Sequence, residues 1–583
     1  MRVIWRILTY LKPYPLSLVV AYVCLFVATG AQLAVPRLVQ RVIDHGIVQN
    51  DQHAILTGSL LIIAVVTVQA AFTYVRSYLF QALSERVSTD VRHQLYGHLL
   101  TLPFQFFDVA QSGQLMSRAT EDVNAIRRFL MFSLRMVIYS VTVFIIVSIL
   151  LLREHLKLGL LSLAMMPVLA LTALYFSSHV RPMFAKVQQQ FGEMSSVLQE
   201  NLAGTRVVRV FAREDAEIRR FDHSLDELYG RQIEAIRYYS FFFPFMQFLA
   251  GASLVIVLWY GGRQVLNGSL SIGTFVAFNL YLTLLAMPLR QLGWIMNSVA
   301  RAIASGDRIF EIIDTRPAIR NRADAVTLDA PRGEVAFNDV TFAYPNTSRP
   351  AVRDVSLSAS AGVVVGLIGA TGSGKSTIPS LLARFYEVSH GTVTFDGIDV
   401  RTIEIGSLRR NVGFVLQETF LFSSTIHDNI AFGNPTASRA EVETAARIAQ
   451  AYAFISEMPD GFDTRLGERG VSLSGGQRQR VAIARAICAN PRVLVFDDAT
   501  SSVDTQTEYE LQQALARAMA GRTTFIIAQR VSSLKEADEI LVFDDGSIVE
   551  RGTHQGLIAQ DGHYARLYEL QLKDQEEFVT AAD

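Results

Sequence analysis

Six apolar stretches, each roughly 20 residues or longer, punctuate the first half of this chain. They run from Leu16 to Val39, Ala54 to Leu79, Met131 to Leu152, Leu156 to Ser178, Phe241 to Leu266 and Ile272 to Met296. A helix of that length crosses the hydrocarbon of a bilayer, where every backbone N–H and C=O must find its partner inside the segment. Buried helices of a large soluble protein do not recur at this length with such short loops between the first and second, third and fourth, and fifth and sixth. The pattern predicts six membrane-spanning helices.

The remaining connections, Arg76 to Arg128 and His179 to Tyr239, are charged, helix-periodic and poor in Pro and Gly. They are too long for loops of a compact domain and predict helical hairpins that extend the spans below the bilayer. Arg86, Arg92, Arg118, Arg127 and Arg128 in the first, and Arg181, Lys186, Arg206, Arg209, Arg213, Arg219 and Arg220 in the second, fit the positive-inside tendency. Both termini are then expected in the cytoplasm. Met1 to Tyr10 is amphipathic, with Arg2 and Arg6 beside Trp5. It reads as a helix on the membrane surface, with no cleavable signal evident. The formal net charge is −1, with Lys and Arg scattered, which argues against a nucleic-acid partner. Cys24 and Cys488 lack metal-ligand neighbours and read as reduced, small apolar residues.

After Arg316-Pro317 the composition shifts. Short β-branched runs (Val363 to Ile368, Val412 to Val415, Val493 to Phe496) alternate with helical patterns, as in a buried parallel sheet. The expected architecture is an α-helical transmembrane domain over 1–316, followed by an α/β phosphate-loop nucleotide-binding domain with a helical subdomain over 317–583.

The run Gly369-Ala370-Thr371-Gly372-Ser373-Gly374-Lys375-Ser376-Thr377 follows the first of these strands and opens an apolar helix. It matches G-x-x-x-x-G-K-[ST] in its required setting. The glycines let backbone N–H groups curl around phosphate oxygens, Lys375 reaches the β/γ-phosphates, and Ser376 can ligate Mg²⁺. Asp497 ends an apolar strand at the distance of the second Mg²⁺-side carboxylate, acting through a bound water. Tyr344, upstream, is a candidate to stack on adenine. Leu473-Ser474-Gly475-Gly476-Gln477 precedes a helix carrying Arg478, Arg480 and Arg485. It is a second backbone anion site, best read as clamping the γ-phosphate held by another copy of the domain.

With these motifs together, the chain resembles an ABC exporter half-transporter of the type IV fold from Tyr10 to about Leu570. Gly369–Thr377 resembles Walker A, Tyr344 the A-loop, Gln417 the Q-loop and Leu473–Gln477 the signature. Gly467-Glu468-Arg469-Gly470 resembles the X-loop, Val493–Asp497 Walker B, and Ser502-Val503-Asp504 the D-loop. Leu102 to Gly113 resembles the first coupling helix, and Val210 to Glu214 the region near the second. The resemblance implies ATP and Mg²⁺ as cofactors, with Gln417 joining Ser376 and Asp497 around the metal. It also implies a dimer in which Ser474, Gly475, Gly476 and Gln477 act in trans on the partner's ATP.

Two positions depart from the family. Where it normally has a catalytic Glu after Walker B stands Asp498, and where it has the switch His stands Gln529. A carboxylate withdrawn by about 1.5 Å is poorly set to hold an attacking water, since a misplacement of about 1 Å can cost about 10²-fold. Gln529 can hydrogen-bond but cannot become a cation. Binding is expected to survive while hydrolysis slows. This chain then reads as the degenerate-site subunit of a heterodimeric, multidrug-type exporter. Its partner half-transporter would carry Glu and His and a deviating signature.

The expected location is the cytoplasmic membrane of a prokaryote, in contact with its lipids. The scarcity of intramembrane charge (Arg135 aside) favours hydrophobic or amphiphilic cargo. Arg135 itself reads as a cavity-lining or a snorkelling residue, and Tyr238 to Phe245 as an aromatic wall or an interfacial belt. Two alternatives are a homodimeric lipid or drug exporter with slow sites, and a nucleotide-gated channel or regulatory subunit.

Overall fold

The computed structural model describes residues 2–345, 347, 349–467, 470, 472–498 and 505–580, with backbone alone at 250, 286, 287, 289, 290, 292, 505–511 and 572–580. It divides into two units: Met1–Leu100 with Ser112–Thr315, and Thr101–Gln111 with Arg316–Asp583.

The first unit is helical. Its long helices are Pro15–Arg41, Gln52–Leu99, Leu134–Glu154, Leu156–Ala203, Glu214–Ile256 and Ile272–Asp314. Among the described residues, Pro15–Ile47, Gln52–Leu99, Ser112–Glu154, Leu156–Ala203 and Glu214–Leu266 are long and apolar enough to cross a membrane, and the last helix is apolar over Ile272–Leu285. Gln52–Leu99 and Leu156–Ala203 each run 48 residues. At 1.5 Å per residue that is about 72 Å, more than twice the roughly 30 Å of hydrocarbon. The charged connections are therefore continuations of the spans, as their helical period predicts. In the most apolar stretch of Gln52–Leu99 no residue is buried, so an apolar face of that size is left for lipid to cover.

Polar contacts tie the helix ends. Asp44 accepts from the Ser271 hydroxyl at 2.7 Å and the Gly273 N–H at 2.8 Å, placing a carboxylate on the N-terminus of Ile272–Asp314, where the helix dipole favours it. The far end of that helix receives the amphipathic helix Arg2–Thr9. Arg6 donates twice to Asp314, at 2.5 and 2.7 Å, and its guanidinium lies 4.0 Å from the Phe310 ring centre. Asp122, buried, accepts from Ser305 at 2.8 Å and from Arg308 Nε at 2.8 Å. Asp122 is the buried partner, while the Arg308 side chain is 48% exposed, so solvent screens part of this attraction.

The second unit holds two sheets. Strands β1 (Val335–Phe342), β2 (Val352–Ala359), β4 (His390–Phe395) and β5 (Ile398–Asp399) form an antiparallel sheet in the order β2-β1-β4-β5. The other comprises β3 (Val364–Gly369), β6 (Val412–Val415), β7 (Val493–Asp497), β8 (Thr523–Ile527), β9 (Glu539–Asp544) and β10 (Ser547–Gly552), in the order β10-β9-β3-β8-β7-β6. It is parallel except for β10 against β9. β7 and β8 are buried almost throughout, as strands covered on both faces are. In such a sheet the carboxyl ends of the strands form the ligand-facing edge. Cys24 and Cys488 are buried free thiols.

Candidate functional site

Four loops leave the carboxyl ends of β3, β6, β7 and β8. Parallel register sets Val415 beside Phe496 and Asp497 beside Ile527. Residues distant in sequence therefore emerge at one edge of the sheet.

The loop after β3 is shaped by glycine. Gly372 and Gly374 have φ of +83° and +97°, conformations that residues with a Cβ rarely adopt. A Cβ on Gly374 would also collide with the Ala351 carbonyl. Lys375 is buried within this loop. Its Nζ donates to the carbonyls of Gly369 at 2.9 Å and Ala370 at 2.7 Å, and to Ser373 Oγ at 3.3 Å. Burial pulls the Lys375 ammonium below its usual range, opposed by the charges of Asp497 and Asp498. The loop thus holds a buried cation whose partners are neutral acceptors, a setting that phosphate oxygens improve.

Ser376, next in the chain, donates to Asp497 Oδ1 at 3.2 Å. Burial pushes the Asp497 carboxyl above the usual carboxylate range, the Ser376 hydrogen bond pulls it down, and the nearby Asp498 charge raises it. A hydroxyl and a carboxylate converging in this way suit a hard divalent cation.

Asp498 itself is 6% exposed and sits in the left-handed region at φ +46°, which Asp tolerates better than most residues. Its N–H donates to the Ile527 carbonyl at 2.9 Å. Gln417 Nε2 donates to its Oδ2 at 3.2 Å. The side chain of Gln529, after β8, is exposed. The switch backbone there is bracketed by Gln571, which donates to the Gln529 carbonyl at 2.8 Å and accepts from the Val531 N–H at 2.8 Å. Sequence reasoning missed Gln571, which lies in the last helix, just past the stretch that carries the family resemblance.

Tyr344 closes the other side of the loop. Its hydroxyl is 3.1 Å from Thr377 Oγ1, and its ring meets Phe342 and Tyr386 edge-on at 5.0 and 5.1 Å. Tyr386, also missed from sequence, donates to Asp108 Oδ2 at 2.8 Å. Asp108 belongs to the short helix Phe104–Val109, whose Phe104 ring lies 4.4 Å from Phe385. Burial and the Asp108 carboxylate drive the Tyr386 phenol well above its usual range. Phe104 and Asp108, from the stretch read as the first coupling helix, therefore pack within the nucleotide-binding unit.

Ser474 caps the helix Gly475–Cys488 through a reciprocal capping box with Gln477, at 3.3 and 3.0 Å. The first N–H groups of the helix, those of Gly475 and Gly476 among them, have no intrahelical acceptor. The three arginines beyond are bound inside the fold. Arg478 donates to the Leu473 carbonyl at 2.8 Å and Arg480 to that of Gln450 at 3.1 Å. Arg485 donates to the carbonyls of Asn429 at 2.8 Å and Phe420 at 2.9 Å and to Asn429 Oδ1 at 2.8 Å. Arg485 thus ties this helix to the segment that follows Gln417. Among the described residues, no hydrogen bond joins Leu473–Gln477 to Gly369–Thr377. Glu468 and Arg469 of the X-loop, and Ser502, Val503 and Asp504 of the D-loop, lie outside the described residues.

This arrangement agrees with what the chain is similar to. Residues 18–289 match the ABC transporter transmembrane region, and residues 352–501 match the ABC transporter family. The uncharacterized ABC transporter ATP-binding protein YknU of Bacillus subtilis is 39% identical over 570 residues, covering 98% of this chain and 97% of that protein. The ATP-dependent lipid A-core flippase of Syntrophus aciditrophicus is 36% identical over 570 residues, covering 98% and 94%. A solved bacterial Atm1-family ABC exporter with ATP bound superposes with a TM-score of 0.80 at 28% identity, covering 96% of this chain and 98% of that one. The chain belongs to the ABC transporters: it is an ATP-driven exporter half-transporter, with a multi-pass membrane domain and an ATP-binding domain fused in one polypeptide.

Proposed function

We propose that this chain is the degenerate-site subunit of a heterodimeric exporter that moves hydrophobic or amphiphilic compounds across the cytoplasmic membrane by alternating access, with both termini and the ATP-binding domain in the cytoplasm. The observation that carries the reading is the state of Asp498. At the position of the family's catalytic Glu stands a side chain one methylene shorter, nearly buried and already engaged by Gln417. Such a group is poorly placed to orient water.

In this reading Gly369 to Thr377 cradle the phosphates. Lys375 exchanges its loop carbonyls for phosphate oxygens, and Tyr344 offers its ring to the base. Ser376, Gln417 and Asp497 would hold Mg²⁺, which when bound neutralises phosphate charge. Gln529 hydrogen-bonds near the γ-phosphate without supplying a cation. Ser474, with the free N–H groups of Gly475 and Gly476 and with Gln477, completes the partner's ATP site, where hydrolysis proceeds. The kinship to a lipid A-core flippase supports an amphiphilic cargo.

Purification of the chain without a second subunit tests the reading. Slow or absent ATPase activity, restored when a partner with Glu and His at the equivalent positions is added, is the expected result. Brisk turnover by the chain alone would reject it.

A further inference from the structure

The last helix, His563–Thr580, lays one face on the turn that follows the switch position. Tyr564, Leu567, Tyr568 and Gln571 recur along it at the three- and four-residue spacing of a single helix face. Tyr564 is 0% exposed and shares a core cluster with Val531 and Leu534 of the turn Val531–Leu534, and Leu567 and Tyr568 pack against that cluster. Gln571 closes the contact through its bonds to the Gln529 carbonyl and the Val531 N–H. At the opposite end of this face His554 Nδ1 lies 2.7 Å from the Tyr564 hydroxyl. The His554 ring also meets those of Tyr564 and Tyr568 edge-on, at 5.8 and 5.6 Å.

The hydroxyl proton has one place to go. Among the described residues the Tyr564 hydroxyl has no hydrogen-bond partner other than His554, and the cluster around it is apolar. Nδ1 must therefore accept, which makes the ring neutral with its proton on Nε2. Protonation would put a hydrogen on Nδ1 facing the hydroxyl. The hydroxyl would then turn its own proton into the core, where a buried donor without an acceptor is costly. Burial already pulls the His554 ring below its usual range, and the Lys535 charge adds to this. Glu550, on β10, accepts from the N–H groups of His563 and Tyr564 and so is committed to the start of the helix. A histidine held below its unfolded value contributes stability that is full above that value and lost as pH falls through the lowered one.

We propose that the His554–Tyr564 hydrogen bond is a proton-sensitive pin, which fixes the C-terminal helix on the switch turn at neutral pH and frees it at lower pH. A loosened helix withdraws Gln571 from the Gln529 carbonyl and the Val531 N–H, so the chain holds its nucleotide less firmly in acid. That consequence rests on the reading that sets Gln529 near the γ-phosphate; the pin itself does not.

Amide hydrogen exchange of the purified full-length chain tests the pin, with Val531 as reporter because its N–H is held by Gln571. After correction for the intrinsic pH dependence of exchange, protection over 529–534 should fall at least about three-fold from about pH 7.5 to about pH 5, within the limit of about ten-fold per pH unit set by one proton. His554→Asn, whose side-chain oxygen can stand in for Nδ1 and does not titrate, should keep protection at both pH values and so guards against a folding defect. Tyr564→Phe should lower protection at the higher pH and abolish the fall. His563→Asn, at an exposed position on the same helix, should keep the fall. Protection independent of pH in the unmodified chain would overturn the proposal, as would a fall that survives in His554→Asn. Release of a fluorescent ATP analogue is followed in parallel. Release that stays constant while exchange responds would leave the pin standing and count instead against the placing of Gln529 at the phosphate.

Discussion

Gln417 and Asp498 are joined by a hydrogen bond of 3.2 Å from the amide Nε2 to the carboxylate Oδ2. They leave neighbouring parallel strands, β6 and β7, two residues beyond the paired Val415 and Phe496. In the family reading Gln417 serves the metal and the position of Asp498 serves the attacking water. Here the Gln417 amide donates to the Asp498 carboxylate instead, which under the proposed function holds that carboxylate away from an attacking water.

Lengthening that carboxylate and restoring a cation should reverse the effect. Asp498→Glu with Gln529→His is expected to raise ATP hydrolysis at this chain's phosphate loop by about 10- to 100-fold, the scale on which misplaced catalytic groups lose rate. Either change alone should give less. Single-turnover hydrolysis in the assembled pair checks it, and an unchanged rate in the double variant would argue that the site is limited elsewhere.

Asp497 should show a trade between stability and binding. Its raised carboxyl pKa means the folded protein holds the proton more tightly than the unfolded chain does. Stability from this group is full below the unfolded value and is lost as pH rises through the raised folded one. Asp497→Asn is therefore expected to raise the thermal midpoint at neutral pH without nucleotide, and to abolish Mg²⁺-dependent nucleotide binding. Calorimetry with and without Mg-nucleotide measures both, and a lowered midpoint would contradict the account.

Gln571 ties the last helix to the switch backbone at Gln529 and Val531. Gln571→Ala removes both hydrogen bonds, one of them open to water, and should cost about 0.5–1.5 kcal/mol in chemical denaturation. Release of a fluorescent ATP analogue should quicken. Gln571→Glu can still accept from Val531 but cannot donate to the Gln529 carbonyl, so it should fall between the two. A Glu variant no better than Ala would show that the Val531 contact does not matter.

Tyr386 links Asp108, on the helix Phe104–Val109, to Tyr344 beside the phosphate loop. Tyr386→Phe keeps the ring contacts and loses the hydroxyl. Nucleotide affinity should stay within about two-fold, because base stacking depends on the rings, while cargo-stimulated ATPase of the pair should drop several-fold. An equal loss of nucleotide affinity would assign Tyr386 to the base pocket instead.

What was legible in the sequence follows a physical line. Span lengths and helical period are local, so Gln52–Leu99 could be read as one long helix from its composition. The buried strands β3 and β7 and the glycine-shaped loop after β3 carry their own signals for the same reason. Partnerships between distant residues do not. Asp122 meets Arg308 across 186 positions, and nothing in either neighbourhood announces it. Arg480 and Arg485 follow the signature in sequence, but their acceptors, at Gln450, Phe420 and Asn429, are distant in the chain and visible only once folded.

The most direct test of the degenerate-site account follows the nucleotide. The assembled pair is loaded with radiolabelled ATP, chased with unlabelled ATP during turnover, and the label retained at each phosphate loop is identified. The account predicts that the label at Gly369–Thr377 remains ATP over many cycles while the partner's site releases ADP. Label at this chain's loop that turns to ADP and leaves as fast as at the partner's would contradict it.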